Sequence, residues 1–182
     1  MVDARSLRGA SREELRQHIV DGYPVDPDAI AGWVYRGTSL GLPPIAVKLT
    51  WQVFQKTFWR DPATGRLLGW NVRLEQDGID SPSRAKLKYG RPVTTWHYEV
   101  VAPDGIPTPS GFDRGLIIDY ARGRDNPRWD PIRLSKDPLV ALRPDSADEL
   151  LGVSYMVIAG RCVETPTYFT LVRERPISYV PY

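Results

Sequence analysis

Lys56 lies between Phe54 and Phe58 on one stripe of an aromatic-rich run. A lysine carried inward on such a stripe can bind a ligand carboxylate or, stripped of water, act as a base. On the opposite phase it is a solvated side chain. Asp119 poses a similar question. It interrupts Gly115-Leu-Ile-Ile-Asp-Tyr-Ala121, a run otherwise apolar on both faces. A buried carboxylate must be paired, hydrogen-bonded or protonated. Asp119 is therefore either the structural partner of an arginine or an acid/base group with a shifted pKa. Its neighbour Tyr120 belongs to a cavity or packs under a helix.

Six Trp and nine Tyr accompany these groups. Trp51, Trp70, Trp96, Tyr98 and Tyr155 fall on apolar faces of separate runs. As core, each ring needs a partner for its N–H or O–H. As a site, they line a cavity with polar handles. Gly69, Gly152 and Ala159 leave room beside them. His97 alternates with Thr95 and Glu99 on a polar face, which in a soluble barrel normally meets water. A role for His97 as haem ligand or general base requires a polar interior, and Asn71 and Arg73 share that condition. His18 is expected at the surface.

Other chemistry lacks its signature. There is no G-x-S-x-G, H-E-x-x-H, phosphate loop or dinucleotide fingerprint. Two histidines and the single cysteine, Cys162, do not make a usual structural zinc site, and no internal disulfide can form. No cofactor is expected apart from the haem alternative. The net charge of +2, with basic and acidic residues interleaved, argues against nucleic acid as the main partner. No segment approaches the ~20 apolar residues of a membrane span, and no apolar run of signal-peptide type opens the chain, so a cytoplasmic protein is expected.

The elements that must position these residues are strands. The 182 residues suggest one domain, and seventeen prolines with fifteen glycines suit a β protein with many turns. Around Asp61-Pro62-Ala63-Thr64-Gly65, two aromatic-rich runs read as a hairpin. Eight strands are expected near 31–37, 47–59, 66–75, 93–101, 115–121, 139–143, 150–159 and 167–174. Within 47–59 the apolar phase switches from odd to even, which a bulge near Val53–Phe54 would produce; a helical turn at 45–50 is the alternative. Arg122 to Lys136 reads as a polar loop, and Thr165-Pro166 as a strand break. Ser11-Arg-Glu-Glu14 has capping-box form and predicts a short helix from about 12 to 20. With Leu15 and Ile19 as its apolar positions, that helix must dock on a barrel end or outer wall.

Short links favour an antiparallel meander closing into an eight-stranded up-and-down barrel, with a β-sandwich as the alternative. The expected layout is a lead-in over 1–29, a barrel over 30–175 and an extended tail over 176–182.

Two stretches carry a resemblance. Gly32 to Gly37, followed by the strand holding Trp51, Lys56 and Phe58, resembles the uncharacterised bacterial family named for its G-x-W-x-G motif. Ile118-Asp119-Tyr120, Leu150-Leu-Gly-Val153 and Tyr168-Phe-Thr-Leu171 are similar to the second half of those proteins. The pattern is also similar to the wider calycin group of lipocalins, fatty-acid-binding proteins and nitrobindins. Tyr35 stands where the tryptophan is expected, directly before Arg36-Gly37. The resemblance implies a barrel that binds small apolar ligands. It also implies a first-strand aromatic at the closed end, with a basic side chain over it; Arg36 is read as packing there, and Arg173 or Arg175 as the basic group from the last strand.

Three functions follow as expectations. The first is binding of a small, mostly apolar ligand, with a carboxylate or carbonyl near Lys56. The second is a cofactor-independent isomerase or cyclase in which Asp119, Lys56 or Tyr120 moves a proton. The third is a filled barrel serving structure or interaction, in which the two-sided strand at 115–121 marks a subunit interface and a homodimer. A cavity below ~300 Å³ favours the third; inward titratable groups within hydrogen-bond reach of each other favour the second.

Overall fold

Strand alternation and short links do produce a closed eight-stranded antiparallel barrel, in the order β1-β10-β9-β8-β7-β6-β3-β2. The computed structural model describes residues 2–41 and 51–182. The staves are β1 (Trp33–Leu40), β2 (Val53–Arg60), β3 (Leu67–Arg73), β6 (Thr94–Val101), β7 (Leu116–Asp119), β8 (Ser135–Arg143), β9 (Ser146–Ile158) and β10 (Arg161–Pro176). A small hairpin, β4 (Leu87–Lys88) with β5 (Arg91–Pro92), stands apart from the wall.

The N-terminal helix forms as its capping box dictates. In α1 (Arg12–Asp21) the Ser11 hydroxyl accepts from the Glu14 amide while the Glu14 carboxylate accepts from Ser11 N–H. Leu15 and Ile19 bury against Ile117, Val140, Leu151 and Val153 on the outer wall. This explains the two-sided strand: Ile118 faces the barrel interior, and Ile117 is covered by the chain's own helix. The reason for expecting a subunit interface there is thereby removed. A second, one-turn helix, α2 (Pro27–Ile30), carries Ile30 into the interior cluster and plugs one end. At that end the Arg173 guanidinium of β10 lies 4.9 Å from the Trp33 ring centroid and donates to Ala29 O at 2.8 Å and Tyr35 Oη at 3.3 Å.

Several boundaries differ from expectation, each for a physical reason. Thr165-Pro166 does not break a strand. β10 runs through it as a bulge opposite β9, and the chain reverses earlier at Ala159-Gly160, both with φ > 0 (50° and 74°), as a two-residue hairpin turn requires. Ala159 is thus a turn residue and leaves no room in the core. β8 begins at Ser135, inside what reads as loop, because Asp137 and Pro138 hide the strand pattern. No bulge occurs at Val53–Phe54: β2 pairs with β1 in unbroken register from Val53 to Phe58. The phase change arises because the outer face of β1 and β2 is also covered. Gln76 bonds the Val53 backbone, and Arg36 donates to Ile79 O and Ser83 Oγ, pinning that loop across the outside. Arg36 therefore does not pack at the closed end. The expectations for 45–50 lie outside the described residues.

Three aromatic rings fit the wall by one device. Gly37 is paired with Phe54, Gly69 with Tyr98 and Gly152 with Phe169 across adjacent strands. In each case a Cβ on the glycine would lie 2.2–2.3 Å from a carbon of the ring. The rings occupy the space that a side chain would need, as aromatic partners of sheet glycines do.

Candidate functional site

The barrel mouth opposite α2 leads to a cavity of about 210 Å³. Trp51, Trp96 and Ile132 stand at its rim; Phe54, Phe169 and Tyr120 form its sides; Lys56, Asn71, Asp137 and Ser154 line it below. Larger depressions, about 550 and 460 Å³, lie outside the wall beside α1 and α2. They contain surface side chains, whereas the barrel cavity holds a buried ionisable cluster, so the chemistry points to the smaller space.

Lys56 enters this interior because even-numbered residues of β2 point inward. Lys56 and Asp137 are each 3 % exposed at the side chain, and their Nζ–Oδ2 separation is 3.2 Å. The Lys56 ammonium also donates to Tyr120 Oη at 2.5 Å and Asn71 Oδ1 at 3.1 Å. The Tyr120 hydroxyl donates to Asp137 Oδ2 at 2.8 Å, and Ser154 Oγ donates to Asp137 Oδ1 at 2.7 Å. Four rings surround the nitrogen at 5.1–5.6 Å: Phe54, Tyr98, Tyr120 and Phe169. Their faces favour a cation there. Burial nevertheless holds the Lys56 pKa below that of an ordinary lysine, and the Asp137 carboxylate opposes that fall. Burial, reinforced by Asp137, raises Tyr120 well above a free tyrosine, so it stands protonated as a donor at neutral pH.

The rim depends on a local distortion. Between Gly69/Tyr98 and Asn71/Thr95 the β3–β6 register slips by one residue. Trp96 takes the slack with φ 48°, a left-handed conformation rare for a bulky side chain. Its indole stacks on Trp51, with centroids 4.6 Å apart and planes at 24°, and Arg73 lies 5.2 Å from the Trp51 ring centroid. Asn71 Nδ2–H holds the Trp96 carbonyl at 3.1 Å, tying rim to floor. Asn126 does the same for the side of the cavity. Its amide donates to His97 O at 2.6 Å and Tyr120 O at 2.9 Å, and its Oδ1 accepts from His97 N–H.

Of the residues singled out from sequence, Trp51, Lys56, Trp96 and Tyr120 line the cavity together. Tyr98 lies inside the barrel beneath Lys56, with its hydroxyl inserted into the β2–β3 ladder, where it donates to Thr57 O at 2.8 Å. The other aromatics lie elsewhere. Trp70 faces outward under the C-terminal tail, edge-on to Tyr182. Tyr155 also faces outward, donating to Pro107 O. Asp119 is on the outer face, paired with Lys136 and Arg122, and its carboxylate accepts from Ala121 N–H. It plays the structural part, and the inward acid is Asp137. His97 lies outside the cavity too, its Nδ1 2.8 Å from Tyr182 Oη. Among the described residues no group of three or more His, Cys, Asp or Glu side chains is disposed to hold a metal ion.

Sequence reasoning missed Asp137, Ser154 and Asn126. For Asp137 the following run, Pro138 to Leu142, is apolar on both phases, and Val140 is buried as fully as Leu139 and Ala141, so strand phase does not mark it either. Nothing local marks Ser154 or Asn126.

Compared with known proteins, the chain matches no family model, no curated protein and no solved structure. No described helix is long and apolar enough to cross a membrane.

Proposed function

We propose that the barrel binds one small, mostly apolar molecule carrying an oxygen acceptor, a carbonyl or carboxylate, that settles against Lys56. The observation that carries this reading is the Lys56–Tyr120–Asp137 cluster at the base of an aromatic cavity. Desolvating a lysine and a carboxylate costs several kcal/mol per ion before pairing offsets it. Apolar side chains would fill the same space without that cost, so a barrel built purely for structure has no use for them. The cavity falls below the ~300 Å³ bound, so by size alone it favours the filled structural barrel, and it is the buried ionisable cluster that weighs against that reading. At about 210 Å³ it equals the share of liquid held by roughly seven waters. The ligand is therefore small, of the order of one substituted ring, and flat enough to lie beneath the Trp51–Trp96 stack. Of the two neutral partners of Lys56, Tyr120 is also tied to Asp137, so Asn71, at the longer distance of 3.1 Å, is the one whose place a ligand oxygen takes. Closure of one barrel end by α2, Trp33, Tyr35 and Arg173 supports a single access from the other.

Titration with benzoate, read by tryptophan fluorescence, tests the reading. Saturable quenching is expected, lost in Trp51→Ala and Trp96→Ala. No quenching, together with no retained molecule in native mass spectra of protein from its own host, would refute it.

A second reading is favoured by a specific contact. Tyr120 Oη bridges Lys56 and Asp137, forming a path along which a proton can move to or from a bound ligand. Cofactor-independent isomerase or cyclase chemistry would then rest on Lys56, Tyr120 and Asp137, without Asp119. Exchange of α-protons of a bound ketone with deuterated solvent, lost in Tyr120→Phe, is the expected result; exchange at the uncatalysed rate would discard it.

A further inference from the structure

We propose that Lys56 is a covalent carbonyl-binding residue, condensing reversibly with a small aromatic or unsaturated aldehyde to form a protonated Schiff base inside the barrel. The inference rests on the cavity reading above and names the ligand class and bond that it leaves open.

Each neighbour of Lys56 has a part to play. The lysine nitrogen lines the cavity, and its side chain is 3 % exposed. Asp137 Oδ2 is 3.2 Å away, near enough to take a proton from the ammonium and leave the neutral amine that a nucleophile needs. The amine lone pair forms the N–C bond, and the carbonyl π electrons move to oxygen. That oxygen takes the Tyr120 hydroxyl proton, which Asp137 replaces across 2.8 Å. The carboxylate then recovers a proton from the nitrogen. The carbinolamine hydroxyl leaves as water, with a second proton passed through Tyr120 from Asp137. The balance is ammonium plus aldehyde giving iminium plus water. Nothing is oxidised or reduced, and the site begins and ends with one positive charge on nitrogen facing one carboxylate.

The surroundings suit the product as well as the reactant. The four rings at 5.1–5.6 Å from Nζ present their faces to an iminium as they do to an ammonium. Ser154 Oγ holds the second Asp137 oxygen, so the carboxylate stays aimed at the nitrogen throughout. In a site that only holds a ligand, the acid beside the one cation serves to keep Lys56 charged against burial. Condensation requires the acid as well, because the proton must leave and return.

Borohydride trapping tests this in the intact chain. The protein is incubated with benzaldehyde and cyanoborohydride at neutral pH, then weighed and peptide-mapped. Its lysines are Lys48, Lys56, Lys86, Lys88 and Lys136. One benzyl group per chain is expected, on Lys56 in preference to the others, and Tyr120→Phe should slow trapping by ~10²-fold, the lower end of a general acid's contribution. Lys56→Met should abolish it, and the wild-type map decides the outcome if that variant does not fold. Labelling spread over the other lysines, or no labelling while benzoate still quenches tryptophan, overturns the Schiff base and leaves the cavity reading standing. Failure of both benzoate binding and trapping overturns the two together.

Discussion

Replacing Lys56 by methionine and Asp137 by asparagine, singly and together, measures what the buried pair does for the fold. At 3.2 Å and an effective dielectric of ~20, two unit charges attract by about 5 kcal/mol. Lys56→Met leaves the carboxylate with its two hydroxyl donors and no countercharge. Asp137→Asn leaves the ammonium with neutral acceptors. Each single change should cost ~3–5 kcal/mol, the range seen when one member of a buried pair is removed. The double variant should lose far less than the sum, to within ~1–2 kcal/mol of the wild type, because neither charge remains. Urea unfolding at pH 7 supplies the four values. The pH dependence gives a second check. Burial lowers the folded-state pKa of Lys56, so between that value and the ~10.4 of an unfolded lysine the unfolded chain binds more protons. Lys56 therefore adds stability as pH rises through that window, and the contribution is lost as pH falls through the folded value; the double variant lacks this gain. Small and additive single losses would refute the reasoning, since they would mean that the two groups meet water rather than each other.

The C-terminal tail supplies a second case. Burial lowers the His97 pKa, so its contribution is held above ~6.5 and lost as pH falls below that toward the folded value. Proteolysis of the tail should accelerate in mild acid, and His97→Phe should flatten that response. Gly69→Ala should destabilise by ~1–3 kcal/mol or more in chemical denaturation, because its Cβ would lie 2.1 Å from Thr57 O and 2.2 Å from the Tyr98 ring. Asn126→Ala strands three backbone groups, His97 N–H, His97 O and Tyr120 O. At ~1–3 kcal/mol for each group left unsatisfied, it should cost ~3 kcal/mol or more and weaken benzoate quenching through a displaced Tyr120.

The fold was legible because apolar runs of strand length, separated by turn residues, are a local signal, even though 47–59 changes phase, 115–121 is apolar on both faces and Asp137-Pro138 hides the start of β8. Lys56 shares parity with Phe54 and Phe58, but the odd-numbered apolar set ending at Val53 left its side open, and its inward direction is settled by the unbroken β1–β2 register. Parity failed for β3, where the apolar set Leu68, Trp70 and Val72 faces outward under other segments. The inward set there is Leu67, Gly69 and Asn71. A wall covered on both sides carries apolar residues on both, so hydrophobicity no longer tells inside from outside. Asp119 and Asp137 show the same limit. The acid in the more apolar run lies outside, ion-paired, and the one beside a proline lies inside. Which carboxylate meets Lys56 depends on pairing between β7 and β8, where Ile118 is opposite Asp137, and that is a long-range fact.

The glycine–aromatic pairs bear on how the site can change. Phe54 and Phe169 both border the hollow, yet each ring is recessed where its partner strand has no side chain. Giving Gly37 or Gly152 a methyl group would push a ring toward the axis and shrink the chamber without touching any polar group. The bore of this barrel is thus set from behind its panelling, and the size of guest it admits can be tuned apart from the chemistry at its base.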